Sequence, residues 1–152
     1  MIETSYFGNK AVREAGRRLV AISLGVPRWW KWERYEALNP TREMIDMAHA
    51  GKTAEYAEMY SSQILSRLDP ESVYEELDGA VLFCWEKAGK FCHRRLVAEW
   101  LEKATGNPVP ESEAVACEKK TGRVKKSRLE VLMPKIEVLS PEEILTRKCQ
   151  LA

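Results

Sequence analysis

The chain has 152 residues, 45% of them hydrophobic and 31% charged, with a formal net charge of +1; this suits one domain that buries about two-thirds of its unfolded surface and excludes a disordered polyelectrolyte. The near-balance of charge excludes whole-molecule attraction of nucleic acid or an anionic membrane, so any such attraction must be local. No apolar run approaches the roughly 18 residues that span a bilayer, and Met1-Ile2-Glu3-Thr4 lacks the basic-then-apolar order of a secretory signal, so the expectation is a cytoplasmic protein with no membrane partner.

Two short apolar runs open the chain, from Ile2 to Phe7 and from Leu19 to Leu24, and each ends at a glycine, Gly8 and Gly25. Both predict buried strands. Asn39 before Pro40 predicts a helix start, and Asp69 before Pro70 repeats the signal. Between them, Tyr56, Ala57, Tyr60, Ile64 and Leu68 fall on one apolar stripe and predict a helix from Thr53 to Leu68. Ala80 to Trp85 is the most continuously apolar stretch, as expected of a central strand covered on both faces. A second helix is predicted from Phe91 to Ala104, with Val97, Trp100, Leu101 and Ala104 inward. It stops at Gly106-Asn107-Pro108, and Val109 begins a short last strand.

From Glu111 onward Lys119, Lys120, Arg123, Lys125, Lys126 and Arg128 crowd together without an apolar period, and Ser140-Pro141-Glu142-Glu143 carries a helix-start signature. The expected organisation is therefore an α/β domain over residues 1–111 and a basic linker or arm with a short terminal helix over 112–152.

In parallel α/β sheets ligands bind outside the carboxyl ends of the strands. Those ends carry the unusual residues: Ser5-Tyr6-Phe7-Gly8, then Ser23-Leu24-Gly25 before Pro27-Arg28-Trp29-Trp30, then Cys84-Trp85-Glu86. Strand alternation places Cys84 and Glu86 on one side, and the next helix starts near Cys92-His93-Arg94. Unpaired N–H groups and the positive dipole end there favour a thiolate at Cys92 and attract a phosphate or carboxylate. Cys92 is then the candidate nucleophile, Glu86 and His93 are candidate proton carriers, and Arg94 is a candidate anion clamp.

Each assignment has a plainer competitor. Cys84 reads equally as a small buried hydrophobe, His93 as a satisfied core histidine, and Cys92 as a capping or packing residue. Arg95 has Glu99 four residues on and reads as a surface ion-pair partner. Trp29, Trp30, Trp32 and Tyr35, interrupted by Arg28, Lys31 and Arg34, suit stacking of a base with cations on phosphates, or else core packing.

Other motifs fail on spacing. Gly51-Lys52-Thr53 lacks the earlier glycine of a phosphate-binding loop. The sixth residues after Cys84 and Cys92 are Lys90 and Ala98, not the arginine of a phosphatase loop. All four cysteines (Cys84, Cys92, Cys117 and Cys149) read as free thiols. A zinc site from Cys84, Cys92 and His93 lacks a fourth ligand and a paired-cysteine knuckle, so no metal is assigned.

Thr4-Ser5-Tyr6-Phe7-Gly8, Ile22-Ser23 leading to Pro27-Arg28-Trp29-Trp30, Tyr56 with Tyr60, and Cys84-Trp85-Glu86 with Cys92-His93-Arg94 together resemble the domain of unknown function 488 family, from about residue 2 to residue 105. The resemblance implies a Rossmann-like three-layer α/β fold with a mainly parallel sheet, and a pocket at the strand ends. It implies no particular activity or cofactor. Many relatives carry an arginine just after the second strand, where this chain has Gly25, and Arg28 is the available substitute.

The function expected is an enzyme-like pocket for a small anionic ligand, a nucleotide or phosphorylated group. In it Cys92, His93, Glu86 and Cys84 do the chemistry, and Arg94, Tyr6, Ser5, Ser23, Arg28, Trp29 and Trp30 surround the ligand. The competing classes are a nucleic-acid module using the tryptophan segment and the basic arm 119–128, and a metal-holding or structural partner protein.

Overall fold

The computed structural model describes residues 1–112. The basic arm, the terminal helix, Cys117 and Cys149 lie outside the described residues.

The first apolar run forms β1 (Glu3–Tyr6), followed by a single helical turn, α1 (Lys10–Arg13), and by β2 (Arg18–Ala21). A two-residue edge strand, β3 (Glu33–Arg34), comes next, then α2 (Arg42–His49), α3 (Thr53–Gln63) and α4 (Pro70–Glu76). The chain then enters β4 (Ala80–Cys84) and α5 (His93–Thr105). The sheet is parallel throughout, in the order β1-β4-β2-β3. β4 is buried at every position, because it has a strand on each side and side chains packed on each face. The fold is thus α/β with a four-stranded parallel sheet, consistent with a Rossmann-like three-layer arrangement.

Alternation divides the core in two. Val20, Ile22, Ala80 and Leu82 face the helices, packing with Tyr56, Tyr60, Val97 and Leu101. Leu19, Ala21, Val81 and Phe83 face the other way, where Phe7, Val12, Trp30 and Trp32 cover them. Tyr60 is fully buried and its hydroxyl donates to the Leu38 carbonyl at 2.6 Å, so its polar end is satisfied inside the first core.

Asp69 caps α4 as expected, accepting from the Ser72 amide at 2.9 Å, with Pro70 at the first turn. The start expected at Asn39 moves two residues on. Thr41 caps α2 through a hydrogen bond from the Met44 amide, while Asn39 is held extended before Pro40. The stripe from Thr53 to Leu68 breaks at Ile64 into a short 3₁₀ turn. α5 stops where Gly106 takes a left-handed conformation, φ 71°. Ala104, expected inward, is exposed, and Ala98 takes an inward place instead.

The strand expected at Val109 is reduced to an isolated parallel bridge between Thr4 and Glu111. Thr4 N–H donates to the Pro110 carbonyl, and Ser112 N–H donates to the Thr4 carbonyl at 2.7 Å. Residues 109–112 therefore cover the outer edge of β1. Because every described strand and helix precedes Ser112, a chain ending there is expected to melt in one cooperative transition within roughly 5 °C of the full chain. Loss of cooperativity in differential scanning calorimetry would show that the core needs later residues.

Among the described residues no helix is long and apolar enough to cross a membrane.

Candidate functional site

β4 ends at Cys84 on the helix-facing side of the sheet, and α5 begins opposite it. Cys92 occupies the N-cap position with extended backbone, φ −155° and ψ 142°, but its side chain makes no capping hydrogen bond. The thiol instead turns toward Cys84 and His93. His93 Nδ1 lies 3.6 Å from Cys84 Sγ and 3.9 Å from Cys92 Sγ. His93 Nε2 lies 2.7 Å from the Ile22 carbonyl oxygen, at the end of β2. A carbonyl only accepts, so Nε2 carries the proton, and the ring orientation it imposes aims Nδ1 at the two sulfurs. All three residues are buried.

The two thiols are electrostatically unequal. Cys84 is pushed well up, first by the hydrogen bond its S–H gives to Cys92 and then by burial. Cys92 is pushed down, first by accepting that bond, then by its contact with His93 and the nearby Arg94 charge, which together outweigh burial. Burial, and then the charge of the sulfur pair, hold the Tyr56 phenol protonated far above its usual range.

The cluster opens onto a cavity of about 590 Å³ between the carboxyl ends of β2 and β4 and the helices α2, α3 and α5. Ser23 lines it from the end of β2 and Glu86 from beyond β4. Arg42, His49, Thr53, Tyr56 and Lys90 add to its polar wall, so both histidines of the chain line it. Ser23 is already engaged, donating its hydroxyl to the Gly25 carbonyl at 2.6 Å.

The structure thus brings together Cys84, Cys92, His93, Ser23 and Glu86. It does not bring Arg94 into the cavity wall. The Arg94 guanidinium is 1% exposed; Nε and Nη2 donate to the Glu111 carboxylate, with Nη2 at 2.8 Å, and Nη1 donates to the Glu86 carbonyl. Its fork is filled by protein groups, so the expected anion clamp is a brace between α5, the segment after β4 and the covered edge of β1. Burial is the largest single influence and opposes its charge, but the Glu111 hydrogen bonds together with the neighbouring Cys92, Glu111 and Cys84 groups outweigh it, and its pKa is raised. Arg95 does not pair with Glu99 but donates to Thr4 Oγ1 and the Val109 carbonyl.

The rim expected from three strand ends comes from two. Ser5 and Tyr6 are not among the lining residues, and Ser5 Oγ accepts from Asn9 Nδ2 at 3.2 Å within the β1–α1 turn. Arg28, Trp29 and Trp30 also lie outside the cavity lining, and Trp30 packs into the second core, on the opposite side of the sheet from the cluster. Trp30 packs edge-on to Phe7 and Trp32, at centroid distances of 5.0 and 5.1 Å. Trp29 is 48% exposed, with the Arg13 guanidinium 4.3 Å above its ring.

Arg42, His49 and Lys90 went unnoticed in the sequence. No motif marks them: α2 carries Arg42 and His49 to the cavity, and the loop between β4 and α5 carries Lys90 there. A scan against protein-family models, a search of curated proteins and a search of solved structures each find no match to this chain.

Proposed function

We propose that the chain is an enzyme-like protein whose cavity takes a small anionic ligand, of the nucleotide or phosphorylated class, and holds it against the Cys84–Cys92–His93 cluster. The observation that carries this reading is the convergence of two buried thiols and an oriented imidazole on the wall of a cavity at the strand carboxyl ends. Burial, a cavity and soft reactive groups at one place are what a reaction centre requires; a purely structural cysteine pair needs no opening.

The anionic class follows from the lining. Arg42, His49 and Lys90 stand against one carboxylate, that of Glu86. Arg42 is 81% exposed and its contact with Asp46 is long, 3.7 Å, so its guanidinium is free to turn to a ligand. In this reading Glu86, exposed at the mouth, exchanges protons with solvent, and Tyr56 positions the ligand. The stacking role of Trp30 is set aside because its ring is packed in the second core.

Calorimetric titration of the reduced protein with phosphate, nucleoside mono- and triphosphates and single-stranded oligonucleotides tests the reading. The double substitution Arg42→Ala with Lys90→Ala is expected to weaken the best small anion roughly tenfold, the sum of two modest exposed charge contacts. Binding confined to oligonucleotides, or anion binding indifferent to both cations, would transfer the function to another surface.

A further inference from the structure

We infer that Cys84, Cys92 and His93 are the three protein ligands of a zinc-class divalent ion whose fourth position faces the cavity. The inference deepens the proposed function and rests on it, because it names the cofactor of the same site.

The geometry is close to what such an ion needs. Tetrahedral zinc with Zn–S of about 2.3 Å and Zn–N of about 2.0–2.1 Å sets sulfur–nitrogen edges of roughly 3.5–3.6 Å. The edges from His93 Nδ1 are 3.6 Å to Cys84 and 3.9 Å to Cys92, and all three ligand atoms lie within 4.8 Å of one another. A small inward movement of Cys92, whose side chain is not committed to capping α5, closes the remaining gap.

The surroundings agree. A histidine that binds a metal through one nitrogen usually donates the other N–H to a carbonyl or carboxylate, which aims the lone pair and raises its basicity. His93 does this with Nε2 and the Ile22 carbonyl. Two thiols and an imidazole are a soft donor set, suited to zinc and unsuited to magnesium or calcium. The ligands come from the end of a fully buried strand and the first turn of a helix, so their spacing is set by rigid elements.

The missing fourth ligand, which argued against a metal at the level of sequence, becomes informative in three dimensions. Structural zinc sites close with four protein ligands, whereas reactive ones keep three and leave one position for water or substrate. Cys84, Cys92 and His93 all line the cavity, so the open position points where the ligand would lie. Loading would release the thiol protons still present on the two cysteines to solvent, with the His93 Nδ1 lone pair as the third donor. The ion would then polarise an anionic oxygen placed beside it.

The test uses the full chain, reduced and freed of metal with a chelator, titrated anaerobically with cobalt(II). The expected result is the intense visible absorption of tetrahedral cobalt with a near-ultraviolet sulfur-to-metal band, saturating at one equivalent and displaced by one equivalent of zinc. Cys84→Ser and Cys92→Ser should each roughly halve the near-ultraviolet band or weaken affinity by at least about 100-fold, no less than losing an outer-shell partner can cost. Should either variant fail to fold, zinc protection of the two cysteines against alkylation in the unaltered chain, mapped by peptide mass spectrometry, gives the same answer. Only the weak bands of octahedral cobalt, or alkylation of Cys84 and Cys92 indifferent to zinc, would overturn the inference. Phosphate and nucleotide titrations of the metal-free protein separate the two claims: anion binding without a tetrahedral spectrum removes the metal alone, and failure of both removes the site.

Discussion

Replacing Glu111 by alanine is expected to destabilise the fold by about 3 kcal/mol, the lower end of the range for breaking a buried ion pair. The cost arises on the other partner. Arg94 is 1% exposed, and without Glu111 its guanidinium would keep only the Glu86 carbonyl while remaining in a site that water scarcely reaches. Glu111 itself is about a quarter exposed, which keeps the figure from the top of the range. Thr4 Oγ1 would also lose its acceptor, at 2.6 Å, loosening the edge of β1. Urea unfolding followed by circular dichroism measures the effect, and Glu111→Gln should recover part of it by restoring an acceptor. A change within about 0.5 kcal/mol, as at an ordinary surface site, would show that the pair is not the brace described. Because Arg94 also holds the segment that follows β4 through the Glu86 carbonyl, the same substitution should weaken anion binding even though Glu111 does not line the cavity.

The second large effect separates two adjacent tryptophans. Trp30→Ala is expected to cost about 3 kcal/mol, as for a core aromatic, and Trp29→Ala well under half of that. Trp30 touches Phe7, Trp32 and Phe83 at centroid distances of 5.0, 5.1 and 5.3 Å, and its indole N–H donates to the Glu33 carbonyl at 3.1 Å, tying the second core to β3. Trp29 is half exposed and meets the fold mainly through Phe7 and Arg13. Denaturant midpoints of the two variants give the comparison directly. If Trp29→Ala proves the more costly, the aromatic segment is not organised around Trp30. If neither matters to stability, the segment is free to serve a ligand, and the stacking role returns.

How far the residues alone could lead differs between fold and site. The runs Ile2–Phe7 and Leu19–Leu24 predicted strands through β-forming residues that end at a glycine, and Ala80–Trp85 through the continuous apolar stretch that burial on both faces leaves. β3 left no such trace. Glu33 and Arg34 are exposed and polar, and they form a strand only because Val20 and Ala21 offer a free edge, clasped by the ion pair from Arg18 to Glu33 at 2.7 Å. At the site, helix-start chemistry marked Cys92, His93 and Arg94 together, yet they divide: two turn into the cavity wall and the third turns to Glu111, seventeen residues on.

What the sequence by itself determined was local: which segments are strands, that Asp69-Pro70 starts a helix, that Gly106 ends one, and that two cysteines and a histidine stand at the end of one element and the start of the next. These follow from propensity, periodicity and capping, which act over a few residues. Only the tertiary structure decided the strand order, the cavity between β2 and β4 with Arg42, His49 and Lys90 on its wall, and the orientation of His93 through the Ile22 carbonyl 71 positions earlier in the chain. Those depend on which buried groups find partners across the fold, and a hydrogen bond or a metal-binding geometry between distant segments has no signature in the spacing of either one.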